Sequence, residues 1–272
     1  MSKVCVITGG GSGMGRSAAK YMSKDKILVI TGRTVSKLEH AVEELTALGY
    51  EVHAYSADIS DRESVKALVR YVASLGDITN VIHAAGMSPN MGDGEKLLRV
   101  NALGTVYINQ EFSKVMKQRS VILDVASNSA YSLPKFLINK RTYMLAETDE
   151  EQFLKKLLRL SNLAKTEYEK AGFAYALSKN FVVWYAAKCA FKYGKKGIRV
   201  VSLSPGLIAT PMGKLEEAEG GKLIKYTAEE RMGESDELGY AIATIADERN
   251  GYLAGVDVLV DGGSTNGKNF RK

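Results

Sequence analysis

Cysteine is scarce in this 272-residue chain. The two residues, Cys5 and Cys189, are too few and too far apart for a disulfide framework or a paired-thiol metal site. Both fall in apolar segments, so both are expected to be buried, inert thiols in a reducing compartment. Histidine is nearly as rare: His40, His53 and His83 lie far apart, with no cysteine or carboxylate at ligand spacing, and no metal is expected. With only four prolines, no low-complexity stretch and no repeat at solenoid period, nothing marks a linker, and residues 1–272 read as one domain. No apolar run approaches the roughly 18 residues of a membrane helix, and Val4 to Ile7 is too short for a signal peptide. A cytoplasmic protein without membrane contact is expected.

What is present is ordinary for a globular domain, with 45% hydrophobic and 25% charged residues. The formal net charge of +6 does not imply nucleic acid. The basic residues are scattered, and the densest group, Lys192, Lys195, Lys196 and Arg199, reads as a solvated helix end and turn around Gly194 and Gly197. One or two such charges suffice for a nucleotide phosphate.

Short β-branched runs alternate with helical patterns. Val4 to Thr8, Ile27 to Thr31, Glu51 to Ser56, Asn80 to His83, Val121 to Val125, Arg199 to Ser204 and Asp257 to Val260 read as strands, seven in all. Leu38, Ala41, Val42, Leu45 and Leu48 form one helical stripe, opened by a Ser36–Glu39 capping box and closed by Gly49. Val65, Leu68, Val69, Val72 and Leu75 form a second behind a Ser60–Glu63 box. Further helices are expected from about Phe173 to Lys192 and near Asp236 to Ala246. Such alternation specifies an α/β fold, a parallel sheet with helices on both faces. One region breaks the rhythm: residues 130–172 form an insert that carries a helix from Thr148, with Glu151 as its box partner, through Leu160.

The chemistry begins after the first strand, in Thr8-Gly9-Gly10-Gly11-Ser12-Gly13-Met14-Gly15. Glycines there allow a tight turn and close backbone approach, and a following helix offers free N–H groups to a pyrophosphate. The spacing differs from G-x-G-x-x-G, but the place, strand end and helix start, points to a dinucleotide. At the end of the second strand, Gly32 stands where an NAD enzyme presents a carboxylate, and Arg33 follows. A guanidinium suits a 2′-phosphate, so NADP(H) is expected in preference to NAD(H). Tyr175 precedes Lys179 by four residues, one helical turn on the same face, where the ammonium favours the phenolate. A tyrosine so placed can donate a proton to a carbonyl oxygen or take it back. Tyr131 and Lys135 share the spacing, but Pro134 between them argues against a common helix face. Ser127 ends the fifth strand most directly, with Ser129 as runner-up and Ser132 beyond it; each could also be a turn serine.

In these motifs, taken in order from Val4 to Gly263, the chain resembles the classical short-chain dehydrogenase/reductases. Thr8 to Gly15 is similar to that family's cofactor turn. Asp58, with Ile59 after it, resembles the aspartate beside the adenine. His83-Ala84-Ala85-Gly86 stands where Asn-Asn-Ala-Gly is usual, the histidine and first alanine being departures. Val100-Asn101 resembles the active-site asparagine motif, and Ser127, Tyr175 and Lys179 the remaining catalytic residues. Pro205-Gly206, with Ile208 and Thr210 following, resembles the turn beside the nicotinamide, and Val260-Asp261-Gly262-Gly263 the family's terminal motif.

The resemblance implies a Rossmann-type, doubly wound single domain and cofactor contacts from Thr8, Gly9, Gly11, Ser12, Gly13, Met14, Gly15, Arg33, Asp58, Ile59, Ala84, Ala85, Gly86, Asn101, Tyr175, Lys179, Pro205, Gly206, Ile208 and Thr210. It also implies that Lys179 holds the ribose hydroxyls, Ser127 bonds the substrate oxygen, Asn101 orders a relay water, and the protein is a homo-oligomer, dimer or tetramer.

The layout, with an insert before the tyrosine, is similar to the bacterial 3α-hydroxysteroid dehydrogenase/carbonyl reductases. A lid over about 207–233 would supply Leu207, Ile208, Met212, Leu215, Leu223, Ile224 and Tyr226, with Gly213, Gly220 and Gly221 as hinges. The insert would add Tyr131, Leu133, Phe136, Leu137, Ile138, Tyr143, Met144 and Leu145. Two apolar segments closing over one pocket imply a bulky apolar ketone or secondary alcohol such as a hydroxysteroid, with a 3-oxoacyl thioester as the second candidate. Lys135, Lys140 and Arg141 could instead attract an acidic group on the substrate. A non-catalytic NADP sensor would share the fold, as would a sugar-nucleotide epimerase. Asn101, Ser127, Tyr175 and Lys179 together favour an oxidoreductase.

Overall fold

The computed structural model describes residues 2–213, 221, 224–267 and 269–270. The described residues form nine strands: β1 (Lys3–Thr8), β2 (Lys26–Gly32), β3 (Val52–Ser56), β4 (Asp77–His83), β5 (Ser120–Val125), β6 (Ile198–Pro205), β7 (Ile208–Ala209), β8 (Gly233–Glu234) and β9 (Asp257–Val260). β7 and β8 pair only with each other; the other seven form one parallel sheet in the order β3-β2-β1-β4-β5-β6-β9. The order reverses between β1 and β4, and a crevice opens outside the strand ends at that switch point. Val4, Cys5, Val6 and Ile7 are all without exposed surface, as expected of a strand covered on both faces.

The nine described helices are α1 (Gly13–Tyr21), α2 (Val35–Ala47), α3 (Arg62–Leu75), α4 (Gly94–Leu98), α5 (Gly104–Val115), α6 (Lys140–Met144), α7 (Glu150–Ser161), α8 (Glu167–Tyr193) and α9 (Ser235–Ile245), besides short turns and a terminal helical turn. Ala18, Leu38 and Ile242 carry α1, α2 and α9 onto one face of the sheet. Val65, Leu97, Val106 and Phe181 carry α3, α4, α5 and α8 onto the other. Among the described residues no helix is long and apolar enough to cross a membrane. The α4–α5 segment was not foreseen. A π turn over Arg99–Leu103 joins its two halves, and it is buried almost all round, so no amphipathic stripe announces it.

Three expected capping boxes are corrected. α2 is preceded by Thr34, with no side-chain cap, rather than opened by Ser36. α3 is capped by Asp61, which accepts from Glu63 N at 2.9 Å, while the Ser60 hydroxyl turns to Asp58. α7 is capped by Asp149, which accepts from Gln152 N at 2.9 Å. In the last two an aspartate one residue on is the stronger acceptor for the orphan N–H groups. A true box, Thr166 with Glu169, opens α8 and makes it begin six residues before the expected Phe173.

The body of the insert, α6 and α7, packs onto α8, while only its ends, at Ser132, Tyr168 and Gly172, reach the crevice. Phe153, Leu154 and Leu157 of α7 are buried, each worth roughly 1.5–3 kcal/mol of transfer free energy. Phe181 of α8 lies 5.3 Å from the ring of Tyr143 and 5.0 Å from that of Phe153. Glu147 accepts from Tyr185 (2.8 Å) and Lys192 (3.0 Å) and pairs with Lys188, all on α8. Burial would raise its carboxyl, but these three partners outweigh it and hold it at about 2. On the other flank, Arg62 of α3 reaches Glu150 at 3.0 Å, and Tyr107 of α5 donates to the same carboxylate at 2.6 Å.

Candidate active site

A cavity of about 460 Å³ lies at the switch point, and most of the expected site residues line it. Its floor is the glycine turn. Gly9 and Gly13 have φ of +71° and +54°, in the left-handed region that glycine tolerates. A Cβ on Gly9 would sit 2.9 Å from Ala85 N, and one on Gly15 would sit 2.6 Å from the Gly9 carbonyl oxygen. Side chains there would push the turn off β4 and off its own helix. Ser12, the N-cap of α1, makes no side-chain cap, and the first turn carries no acid, so the cavity meets backbone N–H groups and a positive helix end suited to an anion.

Arg33 stands at the far end of the cavity together with Lys37, a residue the sequence reading passed over. The signal was there: Lys37 follows Arg33 by four residues, in the first turn of α2. Asp58 and Ile59 line the same end, and Asp58 Oδ1 accepts from Ser60 N at 2.8 Å and Ser60 Oγ at 2.6 Å. Ala84, Ala85 and Gly86 form one wall; Pro205, Gly206, Ile208 and Thr210 form the other. A Cβ on Gly206 would come within 2.8 Å of Asp261 Cα, so this turn and the terminal Asp-Gly-Gly are packed together.

Two expected cofactor contacts do not line the cavity. Thr8 is fully buried: its hydroxyl accepts from Ala85 N at 3.1 Å and lies 2.8 Å from His83 Nδ1. Asn101 sits in the π turn behind the wall. Its side chain accepts from Met87 N (2.8 Å) and donates to Met87 O (3.0 Å) and Ser178 Oγ (3.3 Å), while its carbonyl accepts from Thr105 Oγ1 (2.7 Å). It ties the loop after Gly86 to α8.

At the other end of the cavity α8 presents Tyr175 and Lys179. Lys179 Nζ donates to the Val125 carbonyl at 3.0 Å and lies 5.8 Å from the centre of the Tyr175 ring. Ser127, Ser129 and Ser132 all line the cavity. Ser127 is buried, caps the turn after β5, and accepts from Ser129 N at 3.2 Å. The second tyrosine pair is not in the cavity. Tyr131 and Lys135 fall in separate turns, and Tyr131 donates to Asp257 at 2.6 Å. Burial, then that carboxylate, push its hydroxyl above the ordinary tyrosine range.

The insert's expected pocket residues are corrected. None of Tyr131, Leu133, Phe136, Leu137, Ile138, Tyr143, Met144 and Leu145 lines the cavity: Tyr143 is buried against α8, and Phe136 is 85% exposed. From the lid, Leu207, Ile208, Met212, Gly213 and Ile224 do line it and Tyr226 does not; Leu215, Gly220 and Leu223 lie outside the described residues. Also missed were Met87, Pro89, Met91, Tyr168, Asn128 and Ser264, which line the cavity from loops and from the unforeseen first turns of α8. Cys5 and Cys189 are buried, and burial pushes both thiols up to about 12. Among the described residues no group of three metal-ligating side chains converges.

Comparison with known proteins agrees with this geometry. The family model described as short chain dehydrogenase matches residues 3–137, and one described as enoyl-(acyl carrier protein) reductase matches residues 149–265. A short-chain dehydrogenase/reductase of Alternaria brassicicola is 27% identical over 97% of this chain and 96% of its own length. A cyclohexanol dehydrogenase of an Acinetobacter strain is 25% identical over 97% and 95%. A short-chain dehydrogenase of Burkholderia cenocepacia, solved in complex with NADP, superposes with a TM-score of 0.77 at 21% identity, covering 97% of this chain and 98% of that one. The chain belongs to the short-chain dehydrogenase/reductase family and is an oxidoreductase that works between CH–OH and carbonyl groups with a nicotinamide cofactor.

Proposed function

We propose that this enzyme is an NADP(H)-dependent oxidoreductase of ketones and secondary alcohols in which Tyr175 exchanges the proton. The observation that carries the reading is the convergence on one cavity of the glycine turn, the Arg33 and Lys37 cations, and Tyr175 beside Lys179. The residues fit a dinucleotide, because the Gly9 and Gly15 contacts exclude side chains where a pyrophosphate would approach. NADP(H), when bound, supplies or accepts hydride. Backbone N–H groups at the start of α1 would bind the pyrophosphate, Arg33 with Lys37 the 2′-phosphate, and Lys179 the ribose hydroxyls. Ser127 would bond the substrate oxygen and Tyr175 would give or take its proton, with Lys179 favouring the phenolate. The Burkholderia cenocepacia neighbour named as an NADP complex supports the cofactor choice, and the relative named for cyclohexanol supports the alcohol class.

The body of the substrate is proposed to be apolar, since Met87, Pro89, Met91, Met212 and Ile224 line the cavity. A hydroxysteroid is the leading example. We also propose a cytoplasmic homo-oligomer; Phe191 and Tyr252, 85% and 104% exposed, and Val256 at the start of the β9 edge give it an apolar surface for contact. Loss of reduced-nicotinamide absorbance with steroid ketones, short polar ketones and a 3-oxoacyl thioester, each with NADPH and NADH, tests the reading. Preference for the short polar ketones would reject the apolar substrate, and the absence of turnover with every one would reject the enzyme reading.

A further inference from the structure

Lys179 is held by the carbonyl of Val125, and the residue before it on β5 is Asp124, a carboxylate without exposed surface. Both Asp124 oxygens accept from one donor, Asn109 Nδ2 of α5, at 2.9 Å each. The same amide donates to Thr105 O at 3.0 Å, and the Thr105 hydroxyl donates to the Asn101 carbonyl. Asp124 is thereby connected to the π turn as well as lying next to the anchor of the lysine.

The groups that face it come from four elements. His83 of β4 and Ser202 of β6 are its partners across the sheet. Asn109 comes from α5, and Lys179 and Cys189 bear on it from α8. Burial pushes His83 down to about 3, with Lys179 adding to the effect, so it is neutral; burial pushes Cys189 up to about 12, so it is neutral too. Lys179 is the cation of this group. A single amide is a poor substitute for water around a carboxylate, and a buried charge persists only beside an opposite one. Burial accordingly raises the Asp124 carboxyl to about 7, against the opposing pull of Asn109 and Lys179.

We propose that Asp124 is a positioning residue for the Tyr175–Lys179 pair: its carboxylate offsets part of the positive potential of Lys179 and so sets the pH at which Tyr175 becomes a base. The inference rests on the proposed role of Tyr175. Removing the negative charge makes the potential around Lys179 more positive, which favours the phenolate and moves its ionisation to lower pH.

The test is the pH profile of kcat/KM for oxidation of an alcohol that the parent enzyme turns over, at saturating NADP⁺. Asp124→Asn keeps the shape and removes the charge. Asp124→Ser, which places at 124 the side chain already present across the sheet at 202, is the second variant. The acid limb should move down by about half a pH unit or more in either variant. An unmoved limb, with only the melting temperature lowered, would overturn the proposal, because a merely structural carboxylate does not shift the profile. Failure of both variants to fold would assign Asp124 to the fold and overturn it equally. If instead Tyr175→Phe retained turnover, the reading of Tyr175 itself would fail, and that outcome is distinct from an unmoved limb in an enzyme that needs Tyr175.

Discussion

Thr8 and His83 face each other across β1 and β4, with Thr8 Oγ1 2.8 Å from His83 Nδ1. That hydroxyl also accepts from Ala85 N, so it joins β1, the imidazole and the loop after β4 in one buried contact, and burial keeps the imidazole neutral. This contact accounts for a histidine where the family's usual motif has asparagine: it holds the wall of the cavity without carrying charge. Burial, then Lys179, lower His83 from 6.5 to about 3. The folded state therefore binds fewer protons than the unfolded state between those values. The stabilisation is complete above about pH 6.5 and is lost as pH falls toward 3. His83→Asn should flatten the fall in melting temperature between pH 7 and pH 4.5, measured by thermal melts; an equal fall in both proteins would refute this.

Tyr175→Phe should remove nearly all turnover, by a factor of about 100 or more, while the affinity for NADPH stays near that of the parent. Tyr131→Phe loses a hydrogen bond to Asp257 outside the cavity and should act on stability alone. Steady-state rates and cofactor titration on both variants check the distinction.

Arg33 and Lys37 line one end of the cavity, where two cations can share a phosphate. Arg33→Ala should narrow the NADPH over NADH preference in kcat/KM by roughly tenfold or more, the scale of a charge-assisted bond, and Lys37→Ala by less. Equal efficiencies with both cofactors in the parent would refute the assignment.

Glu147 fastens the insert to α8 through Tyr185, Lys188 and Lys192. Glu147→Gln should cost about 1–3 kcal/mol in urea denaturation at pH 7, since two ammonium groups lose their partner. With the parent carboxyl held at about 2, this stabilisation is present above its ordinary value of 4.5 and fades as pH falls toward 2. The gap between parent and variant should close over that range, and a gap independent of pH would reject the ion pairs as its cause.

The parallel sheet was legible in the chain because strands such as β1 and β2 are covered on both faces and read as apolar runs between turn residues, while the more exposed edge strand β3 was marked by its place between two helical stripes. Glycines 9 and 15 were legible because the backbone path leaves no room for a side chain, Gly13 because its φ is left-handed, and Tyr175 with Lys179 because four residues make one helical turn. Side-chain direction and long-range contact were not written locally. Asn101 was found as a motif, yet only packing turned its amide to Met87 and Ser178, behind the cavity wall. Lys37, Tyr168 and Ser264 reached the cavity through the angles at which α2, α8 and the C-terminal segment approach it. The insert's apolar residues carried no mark of which surface they would cover, and the structure sets Tyr143 and Phe153 against Phe181 of α8. Asp124 lies in a strand that reads simply as apolar; its carboxylate acquired Asn109 and Lys179 as neighbours only when β5, α5 and α8 were brought together.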